Sequence, residues 1–240
     1  MMNTTQINIK NLTSLWKEVA LVTGDYTVSE NTAIATINKG EWPNRIWSQK
    51  SNEVDIEKIK QLLENNKIGL TYAYFKEGEN DKHSDFSMFR LKSIQYGMSL
   101  RLDKNWDTLF RLSFQEIEDK EGITIWTSNF EKAFGYSISD EVLQKTKDTI
   151  SFFTITFEGE RVGTVALYVT ETVAGIHCLG VIPAMRGKGF AREIMQFVLN
   201  LAQKEGATIA VLQASERAKE LYLSMGFQQD FLVENYSVKI

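Results

Sequence analysis

The sequence predicts an α/β fold on a mixed sheet, with a smaller N-terminal α/β part followed by a longer C-terminal one. Three patterns carry that prediction. Ile94, Tyr96, Met98, Leu100 and Leu102 alternate with other residues, the signature of a strand with one buried face. Apolar runs over residues 150–157 and 162–170 flank the tight turn Glu158-Gly159-Glu160, as two strands of a meander would. An apolar strand over residues 173–181 then enters a glycine-rich loop. The loop opens a helix over residues 190–204, whose Ile194, Met195, Val198, Leu199 and Ala202 form one apolar stripe.

The remaining elements follow in chain order. Leu12, Leu15, Trp16, Val19 and Ala20 recur at helical spacing, so residues 11–23 are read as a helix stopped by Gly24. Residues 33–39 and 45–48 read as strands joined by a turn around Gly40 and Pro43. A second helix covers 54–66, with Ile56, Ile59, Leu62 and Leu63 on one face, and a strand covers 68–75. The charged run 76–85 reads as a solvated loop. After the alternating strand, the polar stretch 103–107 marks a boundary, which divides the chain into domains 1–105 and 106–240. Within the second domain a strand over 110–117 precedes two helical patterns, 123–134 and 140–147. Beyond the glycine loop and its helix come a strand over 208–213, a helix over 216–225 and two strands after Gly226.

Composition removes several function classes. A net charge of −4 and a pI near 5.4 lack the basic footprint of a nucleic-acid binder. No apolar run reaches the ~18 residues of a membrane helix, and the opening Met1-Met2-Asn3-Thr4-Thr5-Gln6 lacks the basic-then-apolar order of a signal peptide. Cys178 is the single cysteine, so no intrachain disulfide forms, in keeping with a reducing cytoplasm. His83 and His177 are the two histidines, so a zinc site would need mostly carboxylates and no metal is expected.

The glycine loop carries the clearest chemistry. A helix N-terminus presents unpaired N–H groups and partial positive charge, which makes it an anion site. Gly187 and Gly189 permit a close backbone approach, and Arg186 and Lys188 add charge. The ligand expected here is a phosphate or pyrophosphate. A nucleoside-triphosphate loop needs four residues between its glycines and then Lys-Ser/Thr. A dinucleotide fingerprint needs a third small residue where Arg192 stands. Neither pattern is present.

The run Val181-Ile182-Pro183-Ala184-Met185-Arg186-Gly187-Lys188-Gly189-Phe190-Ala191 resembles the Arg-x-x-Gly-x-Ala acyl-CoA motif of the GCN5-related N-acetyltransferase (GNAT) superfamily. A later run, from Ser215 through Ala218 and Tyr222 to Gly226-Phe227, is similar to that family's Asn-x-x-Ala…Tyr…Gly-Phe element, with Ser215 where Asn is common. The resemblance covers about the last half of the chain. It implies the GNAT fold over that half and acetyl-CoA as co-substrate. Leu179 and Val181 would then contact the pantetheine arm. Arg186, Gly187, Lys188, Gly189, Phe190 and Ala191 would form the pyrophosphate cradle, and Ser215 would add a contact to the cofactor arm.

Direct transfer of an acetyl group to a primary amine is the implied reaction, with a small-molecule or peptide amine as acceptor. Such a transfer needs a neutral amine, a stabilised oxyanion and a proton for the leaving thiolate. By resemblance Tyr222 supplies that proton, and a backbone N–H at Leu179 or Val181 stabilises the oxyanion. The strand over 173–181 has no carboxylate to act as base. Its one titratable imidazole, His177, shares strand parity with Leu179 and Val181 and is the candidate. Glu171 or a water chain are the alternatives, and Cys178, of opposite parity, is expected to pack. The missing carboxylate also suits a non-catalytic acyl-CoA-binding module. The helix–strand–strand–helix–strand order of the N-terminal half matches a degenerate, loop-less copy of the C-terminal domain, a topological likeness without a residue-level repeat.

Overall fold

The first helix starts where the chain offers a cap. In the computed structural model, which describes residues 3–50, 53–66, 69–78, 86–106 and 111–239, the Asn3 side chain accepts a hydrogen bond from Gln6 N–H at 2.8 Å. The helix α1 runs Thr4–Thr23, beginning well before residue 11. Its first two turns bury Thr5 and Asn8 instead of apolar residues, and Asn8 Nδ2 donates to the Met98 carbonyl at 3.0 Å. No apolar repeat could announce those turns. Then come β1 (Gly24–Ser29), β2 (Thr32–Ile37), β3 (Arg45–Ser48), α2 (Ile56–Asn65), β4 (Thr71–Lys76) and β5 (Phe89–Arg101). They are followed by β6 (Ser113–Glu116), α3 (Lys120–Phe134), α4 (Asp140–Thr146), β7 (Ser151–Phe157), β8 (Glu160–Thr170) and β9 (Val173–Val181). The described chain closes with α5 (Phe190–Lys204), β10 (Ile209–Ser215), α6 (Glu216–Leu223) and β11 (Gln228–Val238).

Several elements differ from expectation, each for a local reason. β1 is largely exposed, so it carries no apolar alternation to read. β5 does not bury one face along its length. It is mostly exposed from Arg90 to Ile94 and buried at every position from Gly97 to Leu100, where both faces are covered. The two strands expected after Gly226 are one continuous strand, β11. Glu234 and Asn235, which look like a turn, pair with Tyr74 and Ala73 of β4, and Asn235 Nδ2 donates to Gln95 Oε1 at 3.2 Å. The expected starts at 68 and 110, the charged run from 79 to 85, and His83 lie outside the described residues.

The chain divides into two compact units, Met1–Met98 with Gln213–Ile240, and Ser99–Leu212. In the first, the strand order is β1-β2-β3-β4-β11-β5. β3 and β4 are parallel, while β4 and β11 are antiparallel. β4 is buried on both faces. Ala73 and Phe75 join Leu12, Trp16 and Ala20 of α1, whereas Tyr72 and Tyr74 join Ile59 and Leu63 of α2. Trp16 and Trp47 meet within the α1 cluster, ring centroids 5.5 Å apart, so these tryptophans serve packing.

In the second unit the order is β10-β9-β8-β7-β6. β10 and β9 are parallel and the other pairs antiparallel. Neighbouring residues on β7 point to opposite faces. Phe152 meets Trp126 of α3 at 5.2 Å, and Phe153 meets Phe197 of α5 at 5.4 Å. Both faces are therefore covered by helix, and β9 carries the glycine loop from between them.

Candidate functional site

β9 is irregular just before the loop. Its pairing with β8 runs Gly163↔Val181, Thr164↔Gly180 and then Ala166↔His177. A single β8 residue, Val165, thus opposes both Cys178 and Leu179. Cys178 takes φ 53°, a left-handed conformation that marks the extra residue of a bulge. Thr164 Oγ1 donates to its carbonyl at 2.9 Å.

That extra residue reverses side-chain alternation. Thr164 and Ala166 share a face of β8, so their partners Gly180 and His177 share a face of β9. Leu179 and Val181, alternating about Gly180, lie on the other face. The expected common parity of His177 with Leu179 and Val181 is corrected by the bulge, which adds one residue to a period of two. A Cβ on Gly180 would meet the Phe134 ring at 2.4 Å and Ala133 Cβ at 2.9 Å. The face holding His177 is therefore the one that α3 covers.

Burial sets the chemistry of the bulge. His177 Nε2 is buried with no hydrogen-bond partner among the described residues, and loss of solvation pushes the imidazole down to about 4. It is neutral at pH 7, able to accept a proton but weakly basic. Burial pushes the Cys178 thiol up to about 12, so it is protonated and a poor nucleophile.

The loop begins with a short 3₁₀ turn over Pro183–Met185. Gly187 and Gly189 then adopt φ 78° and 82°, which only glycine takes without strain. A Cβ on Gly187 would meet nothing within 4 Å, and one on Gly189 only Arg111 Nη2 at 3.8 Å. The backbone is open here. Gly189 is the N-cap of α5 and has no side chain to satisfy the first N–H groups of that helix. Open glycines ahead of an uncapped fifteen-residue helix fit a pyrophosphate.

The side chains around the loop are placed differently from their charges alone. Arg186 donates from Nε to the Val181 carbonyl at 3.0 Å and from Nη2 to the Ala133 carbonyl at 2.9 Å. Its guanidinium straps the loop to the end of β9 and to α3. Lys188 Nζ lies 3.5 Å from Met185 Sδ. The Phe190 ring is buried against Phe157, 5.1 Å away, so its backbone N–H is what it can offer a ligand.

Two residues unremarked in the sequence organise this region. Glu193 is 5% exposed, and its Oε1 accepts from the backbone N–H groups of Arg111 and Leu112. Its Oε2 accepts from Arg111 Nε at 3.0 Å. Arg111 Nη2 in turn donates to the Lys188 carbonyl at 3.2 Å, and the guanidinium lies over the Phe190 ring at 5.0 Å. A carboxylate at the position between Phe190 and Ile194 on the apolar stripe was the available signal.

Ser215 and Tyr222 belong to the other unit. Ser215 is the exposed N-cap of α6 and makes no side-chain cap bond. Tyr222 is buried, its ring 5.7 Å from Phe227, and burial pushes the phenol up to about 12. No cluster of three or more His, Cys, Asp or Glu side chains able to hold a metal occurs among the described residues. No described helix is long and apolar enough to cross a membrane.

Residues 112–227 match the model of the acetyltransferase (GNAT) family. Over that segment the chain resembles a GNAT domain. Rat N-acetyltransferase 8B is 34% identical over 114 residues, covering 43% of this chain. The chain spans about half the length of that curated relative, 51%. A GCN5-related N-acetyltransferase from Kribbella flavida superposes with a TM-score of 0.73 at 13% identity, over 100% of this chain and 97% of that one. A GCN5-related N-acetyltransferase-like protein from Streptococcus suis superposes with a TM-score of 0.61 at 14% identity, covering 98% of each chain. At these identities the likeness is one of fold. It makes the mixed α/β architecture that of GNAT proteins, and the family uses acetyl-CoA.

Proposed function

We propose that this protein is an acetyl-CoA-dependent N-acetyltransferase that modifies a primary amine by direct attack. The observation that carries the reading is the open, uncapped start of α5, with Gly187 and Gly189 at positive φ inside the segment matched to the family. Residues 106–240 form the acetyltransferase domain in this reading. Residues 1–105 are a degenerate relative of it, an assignment supported by their helix–strand order and by fold likeness along the whole chain.

The coenzyme, when bound, supplies an activated acetyl thioester. The backbone N–H groups of Gly187 through Ala191 bind its pyrophosphate, and Arg186 holds the loop in place from behind. Leu179 and Val181 orient the pantetheine arm on the face of β9 turned away from α3, with one of their N–H groups facing the developing oxyanion. Ser215 contributes at the N-terminus of α6. Tyr222 keeps its phenolic proton at neutral pH, as a general acid requires. His177 lies on the α3-covered face of β9, opposite Leu179 and Val181, so the proton of the amine is taken by Glu171 or a water chain instead. The acceptor is a small molecule or a peptide, and a cytoplasmic location agrees with a single cysteine.

One observation favours a second reading, an acyl-CoA-binding module without catalysis. Burial leaves His177 a weak base, and β9 offers no carboxylate in its place. Thiol release from acetyl-CoA across a panel of amines separates the two. The enzyme reading expects turnover with at least one amine and a loss of about 10²- to 10⁴-fold in kcat for Tyr222→Phe. Tight CoA binding with wild type and Tyr222→Phe equally inert on every amine would establish the module.

A further inference from the structure

We infer that Arg111 and Glu193 are a positioning pair for the coenzyme loop, turning the Lys188–Gly189 peptide so that the Gly189 N–H faces the bound anion. The inference rests on the proposed coenzyme site and adds to it two residues that belong to neither motif. Arg111 Nη2 donates to the Lys188 carbonyl at 3.2 Å. The Lys188–Gly189 peptide is trans, since among the described residues the cis bond is Trp42–Pro43. In a trans peptide the carbonyl and the following N–H point in opposite directions. Holding the Lys188 carbonyl toward Arg111 therefore turns the Gly189 N–H away from it, toward the open side of the loop.

Glu193 makes the arrangement rigid. Its buried carboxylate takes the Nε and Nη2 of Arg111 on one oxygen and two backbone N–H groups on the other. The buried carboxylate is thus fully hydrogen-bonded and holds its geometry, although the Arg111 side chain is 53% exposed. The guanidinium is also stacked over Phe190, at 5.0 Å. Glu193 lies on α5, Arg111 just before β6, and the carbonyl they restrain lies in the loop. The pair therefore fixes the loop peptide relative to the helix whose N-terminus binds the anion. A peptide set beforehand need not reorganise on binding, which is where preorganisation raises affinity.

Arg111→Met and Arg111→Lys test this against wild type, with CoA, 3′-dephospho-CoA and pantetheine as probes in calorimetry. Arg111→Met is expected to fold, because Glu193 keeps its two backbone donors. It should bind CoA and 3′-dephospho-CoA about tenfold more weakly, equivalent to about 1.4 kcal/mol. Pantetheine, which lacks the pyrophosphate, should bind unchanged. Arg111→Lys should lose as much, since an ammonium keeps the charge without bridging Glu193 and the carbonyl. The Gly189 amide in ¹H–¹⁵N spectra should shift and exchange faster in both variants. Full restoration by lysine would assign a mere charge effect and overturn the inference. So would unchanged CoA affinity in Arg111→Met, or an equal loss for pantetheine. Wild type that binds pantetheine but not CoA would instead sink the coenzyme site itself.

Discussion

His177 and Arg186 show how far a residue's role departs from its charge in water. Arg186 reads as an anion ligand, but both of its bonded nitrogens meet carbonyls of its own unit. His177 reads as a base titrating near neutrality, but burial holds the native imidazole at about 4 against 6.5 for the exposed group. Between those values the unfolded chain binds a proton that the native protein does not. Native stability from this group is therefore complete above about 6.5, falls as pH drops toward 4, and levels off below. His177→Gln should remove that component, a difference on the order of 1–3 kcal/mol between pH 7.5 and 4.5. Urea unfolding of both proteins across that range measures it. A wild-type-minus-variant difference that stays flat with pH would overturn the burial account.

At the scale of elements, the parts that speak through periodicity were legible and the parts that depend on a partner were not. The stripe from Ile194 to Ala202 marks α5 because helix period and burial coincide. The loop's positive-φ positions were legible too, as glycines. The bulge in β9 was not, because Cys178 carries no mark of a left-handed conformation. Its φ of 53° follows from how β8 lies beside it, with Thr164 Oγ1 bonded to its carbonyl. Likewise Glu193 on an apolar stripe signals a buried partner without naming Arg111. The glycines yield the prediction proper to this scale. Gly189→Glu places a side chain on φ 82° and a negative charge at the helix N-terminus, so it should abolish CoA binding. Unchanged affinity in calorimetry, with a wild-type circular dichroism spectrum, would refute the loop's assignment.

Across the whole molecule, binding and folding are linked. A ligand held only by the native state at a hundred times its Kd adds about 2.7 kcal/mol to stability. CoA at that excess should raise the midpoint of unfolding in wild type and leave Gly189→Glu unmoved, as followed by chemical denaturation; equal midpoints with and without CoA in wild type would contradict the site. What the sequence determined by itself was the α/β class, the order of most elements and the glycine loop that opens a helix at residues 186–191. Each of these is encoded locally, in a period, a glycine or a helix start. Only the tertiary structure decided which face His177 takes, what Arg186 holds, and that Arg111 and Glu193 meet. It also decided that the compact units are not consecutive, since β11 returns to pair with β4. Those facts depend on residues far apart in the chain, and a pattern read along one strand or helix carries no information about what packs against it.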